Sequence, residues 1–448
     1  MKRPDAEIPA HCSDGMTRRE FLQATAVPLA GMALPALSAS DGWAARKERD
    51  VNCIMIVMLG GPSQLDTWDP KPDAPSEIRG PFRPIETNVS GIRISEIFPR
   101  MAKHADKYTL VRSVYHSAPP IHDTGHQLLQ TGRVFADEVE HPHPGSVLAQ
   151  LKAARAGAPA HVLLPTPLGA TGANLSHGQG AGFLGPEFEP LTLDVDPSRR
   201  EIRPADFRPR SYLSAARTEQ RRMLQGTFDH ASDAGGRLEW ETAHPLLASP
   251  GAWDAFELGQ EPEARRERYG MNKFGQSCLL ARRLVERGTR FVTINMGESV
   301  FNETTWDAHG TRPFSSLSAY QDELGPQFDH GYSTLLEDLA ACGMLESTLV
   351  VCVSEFGRTP RLNPAGGRDH WTHCWSLAFA GGGVKGGQVI GASDEIGAYP
   401  AARPVCAPEV VASVYHALGV DPHQRLEGPG GQAHPLVDSH VGPISELF

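Results

Sequence analysis

Three stretches of the chain are apolar without alternation: VNCIMIVMLGG from Val51, RFVTINM from Arg290 and STLVVCVSEFG from Ser347. Each is short and rich in Val and Ile, the pattern of strands covered on both faces of a parallel sheet. Stretches of helical period precede the second and third, GQSCLLARRLVERG and YSTLLEDLAACG, and each closes on a glycine, Gly288 and Gly343, as a helix C-terminus does. The repeated order of helix, glycine turn and strand predicts a doubly wound α/β fold, a mostly parallel sheet with helices on both faces and right-handed crossovers. Near the C-terminus, APEVVASVYHALGVDP predicts a capped amphipathic helix. From about Pro186 to Tyr269 the chain turns rich in Arg, Glu, Asp and Ala, which predicts a helical insertion over 186–269 with solvated charged faces. GGGVKGGQVIG lacks the GxxxxGK[ST] spacing of a phosphate loop and is expected to be a hairpin or edge-strand turn.

The first residues follow none of these patterns. MTRREFLQATAVPLAGMALPALSAS places Arg18 and Arg19 before Phe21 and Leu22, then an apolar run broken by Pro28, Gly31 and Pro35. That is the arrangement of a twin-arginine export signal. Ala24 to Ala39 is too short and proline-rich to span a bilayer, which takes about 20 apolar residues. Residues 1–45 are therefore expected to be a signal peptide and short linker, cleaved near Ala39 or Ala45. Residues 46–448 are expected to form one soluble domain, periplasmic or extracellular, without membrane insertion. A chain of 448 residues, 40% of them hydrophobic, is long enough to bury the core of a large domain. With 53 acidic against 42 basic side chains and no basic run interleaved with aromatics, nucleic acid is excluded as an expected partner. None of the seven cysteines forms a CxxC pair, so no disulfide framework is expected. Cys53 and Cys352 fall inside strands as small hydrophobes, and Cys374 is expected to be a packed thiol rather than a ligand.

In an open α/β sheet, ligands collect beyond the carboxyl ends of the strands. After the first strand come Asp66 and Asp69, after the second Asp307 and His309 in WDAHG, and after the third Glu355 and Arg358 in SEFGRTP. GRDHWTHCW then adds Asp369, His370 and His373, and HSAPPIHDTGHQLLQTGR adds His116, His122, Asp123, Thr124 and His126 ahead of a helix. Singly, each has a structural role: Asp66 can cap a turn, His309 can satisfy a carbonyl, and Glu355 can pair locally with Arg358. Together, loops that carry carboxylates and imidazoles to one sheet edge supply what a divalent ion needs. Such an ion polarises a phosphoryl, sulfuryl or acyl oxygen and lowers the pKa of bound water. Trp68, Trp306, Trp371 and Trp375 adjoin these loops and are expected to pack them onto the core, with stacking on a sugar ring as the other use of an indole.

The succession GGPSQLDTWDPKP, HQLLQTGR, LARRLVERGTRFVT, WDAHG, LLEDLAACGMLESTLVVCVSEFGRTP, GRDHW and GGGVKGGQVIG resembles the secreted bacterial family called domain of unknown function 1501, over nearly the whole mature chain. That family is in turn similar to the alkaline phosphatase and sulfatase superfamily. TLVVCVSEFG resembles the superfamily's metal-binding strand, and HDTGHQLLQTGR resembles the segment that carries its nucleophile. The resemblance implies an alkaline-phosphatase-like architecture and metal-dependent hydrolysis of a phosphate or sulfate ester, on a small molecule or a glycan. It places Glu355 at a metal-binding Asp, Asp307 and His309 at a carboxylate and His that hold the other ion, and His370 at a later His ligand. Asp66 becomes the substitute for the first-strand Asp, because Leu59, Gly60 and Gly61 occupy the usual place, and Asp369 becomes an alternate ligand or an orienter of one. One or two divalent ions are implied, from Zn, Mn, Ca and Mg. Phe356 stands where a His ligand normally follows, His122 where the Cys, Ser or Thr nucleophile stands, and His126 where an Arg stands. His122 is then the expected general base, Thr124 the remaining hydroxyl nucleophile, and Arg358 or His126 the group that neutralises the substrate anion. The same departures leave an alternative: a non-catalytic exported binding protein that keeps the fold and at most a structural ion.

Overall fold

The computed structural model describes residues 50–448 apart from 137–138, 153–154, 156–157, 170–175, 193–195 and 200–253. The expected export signal thus lies outside the described residues. Nine strands form the main sheet: Asn52–Val57 (β1), Tyr108–Tyr115 (β2), His161–Leu164 (β3), Leu191–Thr192 (β4), Phe291–Asn295 (β5), Thr348–Val353 (β6), Trp375–Ala380 (β7), Gln388–Ile390 (β8) and Val405–Cys406 (β9). They run in the order β8-β2-β7-β6-β1-β5-β3-β4, with β9 also paired to β2. Every pairing is parallel except those of β7, which runs antiparallel to both β6 and β2. The expected α/β class with a mostly parallel sheet is what the chain adopts.

The unbroken apolar strands are explained by the layers around them. Ile54 and Ile56 of β1 face a core with Phe274, Leu279, Phe328 and Leu335, while Cys53, Met55 and Val57 face a second core with Leu128, Leu129, Val147 and Val410. The first core is roofed by Glu263–Tyr269, Lys273–Glu286 and Gly325–Ala341, the second by His122–Thr131, Pro144–Leu151 and Ala407–Ala417. In chain order these helices are α1 (His122–Thr131), α2 (Pro144–Leu151), α3 (Glu263–Tyr269), α4 (Lys273–Glu286), α5 (Gly325–Ala341) and α6 (Ala407–Ala417). A strand with no solvent-facing side needs apolar residues at consecutive positions, and each such side chain contributes about 1.5–3 kcal/mol when fully buried.

The helices begin earlier than the periodicity suggested. Asn272 caps α4, its side chain accepting from the Gly275 N–H at 2.9 Å, and α5 starts at Gly325 with Pro326 in its first turn. At α6 the Glu409 carboxylate accepts from the Cys406 N–H at 3.0 Å, so the expected capped helix is present. Most of the expected helical insertion over 186–269, residues 193–195 and 200–253, lies outside the described residues. Its described parts hold a 3-10 turn at Pro186–Phe188, the edge strand β4, a second turn at Leu258–Gln260 and α3. The glycine-rich GGGVKGGQVIG leads into β8, an edge strand parallel to β2. Trp68, Trp306 and Trp375 are buried in the core and Trp371 is half-buried. No helix among the described residues is long and apolar enough to cross a membrane.

Because β1, β5 and β6 are adjacent and parallel, their carboxyl ends share one edge of the sheet. β2 ends at that edge too, and β7, running the other way, begins there. The loops carrying Gly60, His122, Asp307, Glu355 and His370 therefore emerge together.

Candidate metal centre

Glu355 follows β6 by two residues and is fully buried. Its Oε1 accepts the Gly60 N–H at 2.8 Å, from the turn that leaves β1. On the other side α1 delivers two imidazoles to the same oxygen: His122 Nδ1 at 2.7 Å and His126 Nε2 at 3.3 Å. Residues four apart on a helix lie on one face, so both rings reach one point. The helix can come this close because residue 125 is glycine. A Cβ there would stand 2.7 Å from both the Cβ and the backbone oxygen of Glu355.

A second group gathers on Asp307, fully buried in the loop after β5. Its Oδ1 accepts from Arg358 Nη2 and lies 3.0 Å from His309 Nε2 and 3.3 Å from His370 Nε2. Those two ring nitrogens are 3.1 Å apart. His370 is set by a two-residue antiparallel pairing of His370–Trp371 with Gly357–Arg358, and its Nδ1 lies 2.8 Å from the Pro120 carbonyl. His309 is oriented by Asp369 at 3.0 Å, which Asn363 holds in turn at 3.1 Å. The His122 ring stands between the groups, with Nδ1 on Glu355 and Nε2 3.4 Å from Asp307 Oδ2. Phe356 packs against His122 and His370, with ring centroids 5.0 and 4.5 Å away. It forms an apolar wall where the superfamily resemblance has a His ligand.

Two buried carboxylates, Asp307 and Glu355, face the Arg358 guanidinium and four imidazoles. Burial pushes the Asp307 carboxyl up, but Arg358 and then His122, His309 and His370 hold it well below the usual carboxylate range. Burial likewise pushes Glu355 up, and His126 and His122 bring it well below. Burial lowers His122, yet Asp307 and Glu355 raise it to about 9, and its proton stands between the two carboxylates. Glu355 Oε2 is buried without a hydrogen bond, which costs about 1–3 kcal/mol, and the contacts of His122 Nε2 with Asp307 Oδ2 and of His126 Nε2 with Glu355 Oε1, at 3.4 and 3.3 Å, are ion pairs without hydrogen-bond alignment. The donors form two sets that could hold an ion, and they share His122: Asp307 with His122 and His370, and Glu355 with His122 and His126. His309 Nε2 stands beside the first, 3.0 Å from Asp307 and 3.1 Å from His370. Two donors bound at 2.0–2.1 Å to a tetrahedral zinc ion lie about 3.3 Å apart, the spacing seen among Asp307, His309 and His370.

Several expected residues have other duties. Asp66 is not brought to the cluster: its carboxylate receives Arg368 Nε at 2.6 Å and the Ser63 hydroxyl at 2.5 Å, a buried pair that ties the GRDHW loop to the turn after β1. Arg358 is fully buried and donates through all three nitrogens to Asp307 and to the carbonyls of Gly60, Gly61 and Arg368, so it anchors the site and offers nothing to a substrate anion. His122 has both ring nitrogens turned to carboxylates, which leaves none free to act as a base toward substrate. Thr124 is half-buried on α1, and no described base accepts a hydrogen bond from its hydroxyl. His126 touches Glu355 rather than an open anion pocket. Asp369, with its side chain 58% exposed, orients His309. His116 lies under the site, its Nε2 3.0 Å from the Glu355 carbonyl. Cys374 is buried, and among the described residues it joins neither donor set. The signal that could have grouped His122 with His126 was in the sequence, since histidines four apart on a helix are a metal-binding spacing.

No curated protein shows a significant match to the chain. Among solved structures, it is similar to the PsFucS1 sulfatase from Pseudoalteromonas sp., at 15% identity over 85% of this chain and 70% of that one, with a TM-score of 0.38. A protein of the alkaline phosphatase superfamily from Vibrio parahaemolyticus aligns at 9% identity over 83% and 67%, with a TM-score of 0.36. The phosphonate monoester hydrolase of Agrobacterium radiobacter aligns at 13% identity over 89% and 77%, with a TM-score of 0.34. One family model, described as "Protein of unknown function (DUF1501)", matches residues 50–448, and the chain belongs to that family.

Proposed function

We propose that the protein is a metal-dependent hydrolase of phosphate or sulfate esters, exported by the twin-arginine route and acting outside the cytoplasm. The observation that carries this is the convergence, at the carboxyl edge of the sheet, of buried carboxylates and imidazoles around Glu355 Oε2, a carboxylate oxygen without a hydrogen bond. Asp307, His309 and His370 would hold an ion at the mouth of the site, where the two histidine side chains are 21% and 22% exposed. An imidazole-rich set suits a borderline ion such as zinc better than calcium or magnesium, which take oxygen ligands. Bound there, a divalent ion supplies a Lewis acid for an ester oxygen and water of lowered pKa.

The chain's own residues do the rest. Arg358 fixes the orientation of Asp307, Asp369 fixes the tautomer and direction of His309, and Phe356 keeps water from the inner side. One divalent ion with Arg358 would balance the charges of Asp307, Glu355 and Asp369, so the ion at the mouth would itself be the group that draws a phosphate or sulfate oxygen. A step through a covalent enzyme ester has no support in the residues, since His122 occupies the start of α1 and Thr124 has no base. The test is turnover of aryl phosphate and aryl sulfate esters by the full chain with zinc, manganese, calcium or magnesium added singly. Zinc-dependent turnover, lost in Asp307→Asn and His309→Ala, is expected. Absence of ion-dependent turnover by folded wild-type protein on both ester classes would favour the binding-protein alternative.

A further inference from the structure

We propose that the alcohol half of the ester is apolar, an aryl or alkyl group rather than a sugar, and that Ile121, Phe301 and Phe314 select it at the rim of the mouth. This rests on the hydrolase reading and goes further, to what carries the phosphate or sulfate. The partly exposed rings of His309 and His370 stand between apolar flanks. The Phe314 ring lies 4.7 Å from that of His309, and Phe301 packs on Phe314 with centroids 5.8 Å apart. On the other side of the His370 ring, away from His309, Nδ1 meets the Pro120 carbonyl at 2.8 Å, and Pro119, Pro120 and Ile121 are exposed there. An ester whose anionic end sits at these imidazoles directs its other half over one flank or the other.

Neither exposed side chain serves the fold. Ile121 stands at the N-cap of α1, where Ser, Thr, Asp or Asn would accept from a first-turn N–H; isoleucine accepts from none and is 49% exposed. Phe301, 38% exposed, is presented by a fixed turn: Asn302 takes a left-handed φ of 60° and donates its N–H to the Pro313 carbonyl at 3.1 Å, and Glu303 accepts the N–H groups of Glu298 and Ser299. Single exposed hydrophobes are ordinary, but two that flank one pair of imidazoles, one of them in place of a helix cap, mark a contact surface. The polar side chains on the exposed side of these rings are engaged elsewhere. Asp369 pairs with His309 and Asn363, and Asn363 in turn holds the His309 carbonyl and the N–H groups of Ala365 and Gly367. A sugar hydroxyl laid on these flanks would lose water without gaining a partner, whereas an aryl or alkyl group is driven there by the loss of its water.

The experiment is calorimetric titration of the full chain, with zinc present, by matched phosphonates and sulfonates that carry methyl, hexyl, phenyl or glucosyl groups and are not hydrolysed. Hexyl and phenyl anions should bind about 10-fold more tightly than methyl, and glucosyl anions no more tightly than methyl. Phe301→Ser and Ile121→Ser should each lower the hexyl-to-methyl ratio of affinities by about 3-fold. Ile121→Ser should also raise the melting temperature by supplying the missing cap, so a lower ratio in that variant is not the mark of a damaged fold. Hexyl and methyl anions bound alike, glucosyl anions bound best, or an unchanged ratio in either folded variant overturns the apolar rim. Apolar preference in a protein that turns over no ester would overturn the hydrolase reading and leave the preference standing. Turnover without that preference would overturn the rim alone, and a chain that binds none of the anions would contradict both.

Discussion

Replacing Gly125 with alanine separates a helix glycine kept for close approach from one that is merely tolerated. Alanine is the better helix former by about 1 kcal/mol, so at an open position the change would stabilise the protein. At residue 125 the new Cβ would lie 2.7 Å from the Cβ and the backbone oxygen of Glu355, where ordinary contact begins at 3.4 Å. α1 must therefore withdraw by about 0.7 Å (3.4 − 2.7), because a backbone oxygen cannot swing aside. Overpacking of this kind costs about 1–3 kcal/mol, which offsets the gain in propensity and leaves a net loss of about 0–2 kcal/mol. The consequence for the site is larger, since metal–ligand distances tolerate only about 0.2 Å. His122 and His126 move with the helix, and zinc affinity at their set with Glu355 should fall by about 10–100-fold, the scale of losing a ligand's supporting contacts. Competitive zinc titration against a chromophoric chelator reads the affinity, and thermal melting of the stripped protein reads the stability. Unchanged affinity together with a higher melting temperature would refute the close-approach account.

Asp66→Asn should destabilise the protein by about 3–5 kcal/mol, because Arg368 is left buried without its counter-charge, while the zinc count of the folded protein stays the same. Loss of an ion from that variant would return Asp66 to the ligand set. Stability should fall steeply with acidification. Burial depresses His143 from the ordinary 6.5 to about 3, and His161, stacked on it with centroids 4.8 Å apart, is also pushed well below by burial. For such groups the unfolded chain takes up protons first, so the stability they confer is fully present above pH 6.5 and is lost as pH drops toward 3, up to about 5 kcal/mol for His143. Melting curves from pH 7 to pH 4 on wild type and His143→Gln check this, and an equally steep decline in the variant would contradict it. Export is checked by replacing Arg18 and Arg19 with lysine, which should leave unprocessed precursor in the cytoplasm. Processed periplasmic protein from that double variant would contradict twin-arginine export.

What the sequence disclosed was local. The apolar runs of β1, β5 and β6 need no partner to be recognised as doubly covered strands, and the polar residues that follow them are those found at the sheet edge. What it concealed was pairing at a distance. Arg358 stands three residues after Glu355 and suggested a local ion pair, but it binds Asp307, 51 positions away. Asp66 suggested a ligand because it follows the first strand, yet its partner Arg368 is 302 positions on. No periodicity encodes either choice. His122 and His126 were visible at helical spacing, but their meaning depended on Glu355, which only the fold brings beneath α1.

If these carboxylates and imidazoles hold divalent ions, crystals of the full chain grown with zinc will show them by anomalous diffraction at the zinc edge. The expected map has one peak about 2.0–2.1 Å from His309 Nε2, His370 Nε2 and an Asp307 oxygen, and a second enclosed by Glu355, His122 and His126. A map with no peak at either place, in crystals whose His122, Asp307 and Glu355 side chains are well ordered, would rule out metal binding at this edge of the sheet.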